Sequence, residues 1–128
     1  MKYNLLLLFS FIVLSTSCQI TKEDPNVKVI NSEELKTLLK DDSIQFIDVR
    51  TVEENSENHI KGSINIVYDK NFEQKISQLD KEKPVVVYCR SGRRSAASAK
   101  IMANKGFSEV YDLKGGILKW IEEGNMVE

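Results

Sequence analysis

The sequence predicts a single α/β domain in which a mainly parallel central sheet carries helices on both faces. Two observations predict it. Short apolar, β-branched runs alternate with segments of helical period, the order that builds a parallel sheet under helical crossovers. Within that order Val85-Val86-Val87-Tyr88 is apolar at every position, as a strand buried on both faces requires. Taken along the chain, residues 27–30 form the opening strand, and residues 32–40 a helix with Leu35, Leu38 and Leu39 on one face. Residues 44–49 form the next strand and residues 51–58 an acidic helix. After a turn at residues 59–62, residues 63–66 form a short strand. Phe72, Ile76 and Leu79 share helical spacing up to the break at Lys83-Pro84, which introduces the strand Val85–Tyr88. A helix starting at Ser95 ends near Gly106, residues 109–111 form the last strand, and residues 117–123 the final helix, closed by Gly124.

At 128 residues the chain has room for one domain and little else. Its 41% hydrophobic and 29% charged residues suit a globular chain, and a net charge of -1 argues against a nucleic-acid partner. Residues 1–18 read as an export signal outside the domain. Lys2 supplies a basic start, residues 5–14 an apolar run too short to span a bilayer, and Ser15-Thr16-Ser17 the small residues before a cleavage point. Cys18 directly after them is similar to a bacterial lipoprotein processing site, where cleavage leaves a lipid-modified cysteine at the new amino terminus. An ordinary secretory signal with an incidental cysteine is the other reading. Residues 19–26 follow as a polar tether, and residues 27–128 form the domain. The expectation is an exported protein of the periplasm or cell envelope, anchored to a membrane through lipid on Cys18. Cys89 is then the one thiol left in the mature domain, without a disulfide partner or a resolving thiol.

Chemistry concentrates where the Val85–Tyr88 strand ends. Cys89-Arg90-Ser91-Gly92-Arg93-Arg94-Ser95 joins the carboxyl end of a strand to the amino end of a helix. Successive backbone N–H groups in such a turn converge on one point, and the helix dipole adds positive potential there. A thiolate or an anion is stabilised at that point. With arginines at 90, 93 and 94, the Cys89 thiol is expected below the roughly 8.5 of a free cysteine. An inert buried cysteine would sit in apolar surroundings, not among three arginines.

This loop, Tyr88 to Ala96, resembles the active-site loop of the rhodanese-like sulfurtransferases. Two further blocks are similar to the same family. One runs from Asp48-Val49-Arg50-Thr51 through Glu53-Glu54 to residues 59–66, the other from Gly106-Phe107 through residues 110–117 to Trp120. The chain departs from the commoner family residues at Val52, Asn55, Asn58, Lys61 and Ser63, all outside the loop. The resemblance covers about residues 26–127 and implies a rhodanese-like domain that moves a sulfane sulfur through a persulfide on Cys89. The donor it implies is a small molecule such as thiosulfate, and the acceptor a thiol or cyanide. Arg90, Ser91, Gly92, Arg93, Arg94 and Ser95 form the expected substrate cradle. Arg94 matches the family's loop-closing arginine and is expected to brace the loop through a carboxylate. Arg90 is best placed to meet an incoming anion, and Arg93, at a variable position, is left as a surface charge. No cofactor or metal is expected, and the chain is expected to act as a monomer.

Two other readings stay open. Cysteine phosphatases and arsenate reductases also hold a thiolate in an anion loop, but theirs is one residue longer than the six residues from Cys89 to Arg94 and usually follows a histidine. A non-catalytic tethered module that binds a partner or carries sulfur to one is the reading from another class. Asp48 closes its strand near the loop and, by analogy, holds a loop arginine, or else it caps the helix near Thr51. Arg50 reads as a solvated or salt-bridged surface residue, and Glu53, Glu54 and Glu57 as a solvated helix face. His59, the one histidine, reads as structural, because a thiolate stabilised by a loop needs no base. Gly115-Gly116 reads as a turn near the site, and Trp120 as packing.

Overall fold

The structure, a computed structural model, describes residues 24–128. Cys18, the signal reading of residues 1–18 and the start of the tether lie outside the described residues. In chain order the elements are β1 (Val27–Ile30), α1 (Ser32–Leu38), β2 (Gln45–Asp48), α2 (Val52–Glu57) and β3 (Ile64–Asn65). They continue with α3 (Phe72–Ile76), β4 (Val85–Tyr88), α4 (Arg93–Asn104), β5 (Val110–Leu113) and α5 (Gly116–Glu122). Every strand pair is parallel and the sheet order is β1-β5-β4-β2-β3, so the two latest strands insert between β1 and β2. The carboxyl ends of β2, β4 and β5 consequently lie side by side, where ligands of parallel sheets bind.

The expected α/β architecture is present, with helices on both faces. On one face α3 and α4 cover Ile47, Val85 and Val87 through Phe72 and Met102, joined by Phe107 from the turn after α4. On the other, α1 and α5 cover Phe46, Val86 and Tyr88 through Leu35, Ile117 and Trp120. β4 is fully enclosed on both faces, which is why its run is apolar throughout. Each enclosed side chain of this size contributes roughly 1.5–3 kcal/mol. Trp120 packs as expected, and its indole N–H donates to the carbonyl of Met126 at 2.9 Å.

Several boundaries move, each for a local reason. α4 starts at Arg93 rather than at Ser95, because Gly92 takes a left-handed conformation (φ 109) and opens the helix without a side-chain cap. Ser95 is therefore inside the first turn. β5 runs on through Asp112 and Leu113, whose positions pair with Val29 and Ile30 of β1. α2 begins after Thr51, which forms a capping box with Glu54. α3 stops at Ile76, and Leu79 packs against the core from the following turn.

Candidate active site

Cys89 is the first residue after β4 and is 1% exposed. The backbone around it is held from behind by the amino end of α5. Ile117 N–H donates to the Cys89 carbonyl at 2.9 Å and Leu118 N–H to the Arg90 carbonyl at 3.1 Å. With those carbonyls turned toward α5, the following N–H groups are free to face the sulfur. Gly116 (φ 59) makes the approach possible, since a Cβ there would collide with the carbonyl oxygens of Cys89 and Arg90. The Gly115-Gly116 turn is thus part of the site's construction as well as a connection.

On the inner side, Gly92 N–H donates to Cys89 Sγ at 3.1 Å, and Ser95 Oγ lies 3.4 Å from the same sulfur. Burial alone pushes the Cys89 thiol up. The Ser95 hydroxyl, with the amides of Ser95, Gly92 and Ser91, outweighs it and leaves the thiol below its ordinary value. The sulfur also sits at the amino end of α4, whose 12 residues align their peptide dipoles toward it. Ser95, expected in the substrate cradle, is fully enclosed and serves the sulfur from beneath instead. Arg90, Ser91 and Arg93 are exposed at the loop rim, with Gly92 and Arg94 half-buried. A cavity of about 220 Å³ between α2 and α5 borders the loop at Arg90.

Arg94 is braced by a carboxylate, and that carboxylate is Glu54. Its guanidinium donates twice, to Oε1 at 2.7 Å and Oε2 at 2.9 Å. Arg94 holds the Glu54 carboxyl down at about 2. This corrects two expectations: Glu54 is not a solvated residue, and Asp48 does not hold a loop arginine. Asp48 is paired with Arg50, which is itself buried rather than on the surface, at 2.7 Å from Arg50 Nη2 to Oδ2. Asp48 also accepts from the Arg50 backbone N–H, Asn55 Nδ2 and the Tyr88 hydroxyl. Arg50 in turn donates to the Asn58 carbonyl at 2.6 Å, and Ser63 Oγ meets the Tyr88 hydroxyl at 2.9 Å. Burial, reinforced by the Asp48 carboxylate, pushes Tyr88 up to about 12 and keeps it a neutral donor. This enclosed network fixes the ends of β2 and β4, and with them the start of the loop.

His59 is tied elsewhere. Its ring Nδ1 lies 3.2 Å from the Asn55 carbonyl, and its backbone exchanges two hydrogen bonds of 2.9 Å with Glu128. Among the described residues no cluster of His, Cys, Asp or Glu side chains is placed to hold a metal ion.

Comparison with known proteins gives a consistent result. The family profile for the Rhodanese-like domain matches residues 31–123. The thiosulfate sulfurtransferase GlpE of Coxiella burnetii is 37% identical over 93 residues, spanning 73% of this chain and 86% of that protein. The thiosulfate sulfurtransferase GlpE of Shewanella oneidensis is 32% identical over 95 residues, spanning 74% of this chain and 93% of that protein. Among solved structures, a rhodanese-related protein from Thermoplasma volcanium superposes with a TM-score of 0.71 at 34% identity, over 79% of this chain and 97% of that one.

Proposed function

We propose, from the premise that the chain belongs to the rhodanese-like domain family, that it is a sulfurtransferase using Cys89 as nucleophile and sulfur carrier. The observation that carries this reading is the Cys89 sulfur itself: a thiol lowered by the Ser95 hydroxyl and three inward amides, in a loop bearing three arginines. The Cys89 thiolate attacks the outer sulfur of a donor such as thiosulfate. The donor's S–S bond breaks, its electron pair leaves with sulfite, and Cys89 retains a persulfide anion. Charge is conserved in that step, so no proton transfer or cofactor is required. Arg90, at the exposed rim, is placed to meet the anionic donor and the departing sulfite, while Arg94 with Glu54 keeps the loop closed. Cyanide or a thiolate then attacks the outer sulfur of the persulfide, giving thiocyanate or a new persulfide and restoring the thiolate.

The decisive measurement is intact-protein mass after thiosulfate treatment. A gain of one sulfur atom that cyanide reverses is the expected result. The same loop should distinguish sulfur from phosphorus. The span of six residues from Cys89 to Arg94 encloses a small site, and the sulfur is nearly buried. Thiosulfate with cyanide should therefore yield thiocyanate, while an aryl phosphate is turned over negligibly; the opposite ranking in matched assays would move the chain to the phosphatase class.

We also propose that the protein is exported and lipid-anchored at Cys18, a reading supported by Lys2, the apolar residues 5–14 and the small residues before Cys18. Radiolabelled palmitate should be incorporated in a bacterial host and lost in Cys18→Ala. Release of an unlabelled wild-type protein would defeat this assignment.

A further inference from the structure

The outer edge of β1 carries a site that has no part in the proposed reaction. On the α4 side of the sheet, a cavity of about 400 Å³ is lined by Asp24, Val27, Lys28, Val29, Ala96 and Asp112. Its walls are mostly apolar. Val27 and Val29 alternate onto this face of β1, Val29 is 52% exposed, and Ala96 borders the cavity from α4. Set in those walls is one buried carboxylate. Asp112 of β5 is 5% exposed, and its Oδ1 is fully enclosed with no hydrogen-bond partner among the described residues. A buried carboxylate oxygen left unpaired is costly, so the site calls for a donor, and a cation most of all.

The cations of the neighbouring elements are placed elsewhere. Lys28 lies 4.0 Å from Glu34 of α1, on the other face of the sheet, and Arg94 is committed to Glu54. Arg93 and Lys100 of α4 are exposed and line no part of the cavity. The turn before β1 points to a cation supplied by the chain itself. Val27 N–H donates to the Asp24 carbonyl at 2.9 Å and Asn26 N–H to Asp24 Oδ1 at 2.9 Å, so the chain reverses at Pro25-Asn26 with Asp24 at the cavity. Lys22 comes two residues before Asp24, as Val29 comes two residues after Val27. A chain running back from this turn at about 3.3 Å per residue therefore brings Lys22 level with Val29, whose register partner on β5 is Asp112. Two strand spacings of about 4.8 Å then separate Lys22 from Asp112, a gap that the flexible four-carbon lysine stem crosses.

We propose that the Lys22 side chain occupies this cavity, its stem across Val27, Val29 and Ala96 and its ammonium paired with the Asp112 carboxylate, docking the segment before β1 on the edge of the sheet. The walls suit a lysine on both counts: an apolar channel takes the methylenes, and a buried acceptor takes the N–H donors at the tip. In the same arrangement Glu23 falls opposite Lys28, an opposite-charge pair on the other face. Docking also covers the exposed Val29 and an open sheet edge. The inference rests on the lipid-anchor reading only for its consequence. With Lys22 held, the four steps back to Cys18 span at most about 14 Å, which keeps the β1 edge of the domain close to the bilayer.

Two measurements on the full chain test it, and neither involves sulfur transfer. The first is the carboxyl titration of Asp112 followed by NMR. Burial, against the lowering effect of Ser95, pushes this carboxyl up to about 6 when no cation reaches it, so Lys22→Gln should titrate near 6. Wild type should titrate at about 5 or below, because an adjacent ammonium favours the carboxylate. Identical midpoints in the two proteins would overturn the proposal. The second is the rate of trypsin cleavage after Lys22. It should be at least about tenfold faster in Asp112→Asn than in wild type, since loss of the ion pair releases the segment to the protease. Equal rates would overturn the docking, and protection that rises with protein concentration would assign the groove to a second copy of the chain instead. The titration uses no Asp112 variant, so it decides the question without requiring Asp112→Asn to fold.

Discussion

Replacement of Cys89 by serine is expected to abolish persulfide formation and to lower thiocyanate production by at least about a thousandfold, while the domain stays folded. The loss follows from what the loop stabilises. The Ser95 hydroxyl and the amides of Ser95, Gly92 and Ser91 lower a thiol into a useful range. The same contacts cannot ionise a serine hydroxyl, and the domain offers no second thiol among the described residues. The fold should survive because the two side chains are nearly isosteric, and the polar partners of the sulfur suit a hydroxyl equally well. Arg94→Ala is the companion variant. It should raise the pH midpoint of Cys89 alkylation, since Arg94 contributes positive potential that the thiolate reciprocates. Intact mass after thiosulfate, thiocyanate yield and a thermal melt read the three effects separately. Thiocyanate production undiminished in Cys89→Ser would remove Cys89 from the mechanism.

What could be read from the sequence was whatever rests on neighbours in the chain. β4 announces itself because both of its faces are enclosed, and Cys89 because a strand, a basic loop and a helix follow one another without a gap. The start of α4 escaped by two residues because a left-handed Gly92 opens it, whereas Ser95 resembles a cap and sits instead beneath the sulfur. Glu54 carried a local signal, the capping box with Thr51, yet its second partner lies 40 residues away, and no spacing rule predicts that. Asp48 was legible as a carboxylate near the loop but not in its choice of partner, because Arg50, only two residues on, reaches it first. Two departures from the commoner family residues, Asn55 and Ser63, turn out to be side-chain partners of the buried Asp48, Arg50 and Tyr88 network, while Asn58 joins it through its backbone carbonyl.

Gly116→Ala should damage both stability and activity, through a contact made by backbone alone. At φ 59 an alanine incurs the left-handed penalty, and its Cβ would in addition strike the carbonyl oxygens of Cys89 and Arg90. Neither obstacle is the flexible end of a side chain, so the loop itself must move. Strain and overpacking together should cost about 2–5 kcal/mol of stability. A displacement of the loop loosens the bonds from Ile117 and Leu118 to the carbonyls of Cys89 and Arg90, and with them the inward aim of the amides at the sulfur. A misplacement of about 1 Å at a reacting atom costs on the order of a hundredfold in rate. Gly124→Ala is the control, since Gly124 has a similar backbone (φ 83) and open space where its Cβ would stand. That variant should lose only about 1–2 kcal/mol and keep its turnover. Denaturation midpoints and thiocyanate rates of the two variants, measured side by side, separate backbone conformation from contact with the loop. If Gly116→Ala matched Gly124→Ala in both measurements, α5 would not be what aims the Cys89 loop.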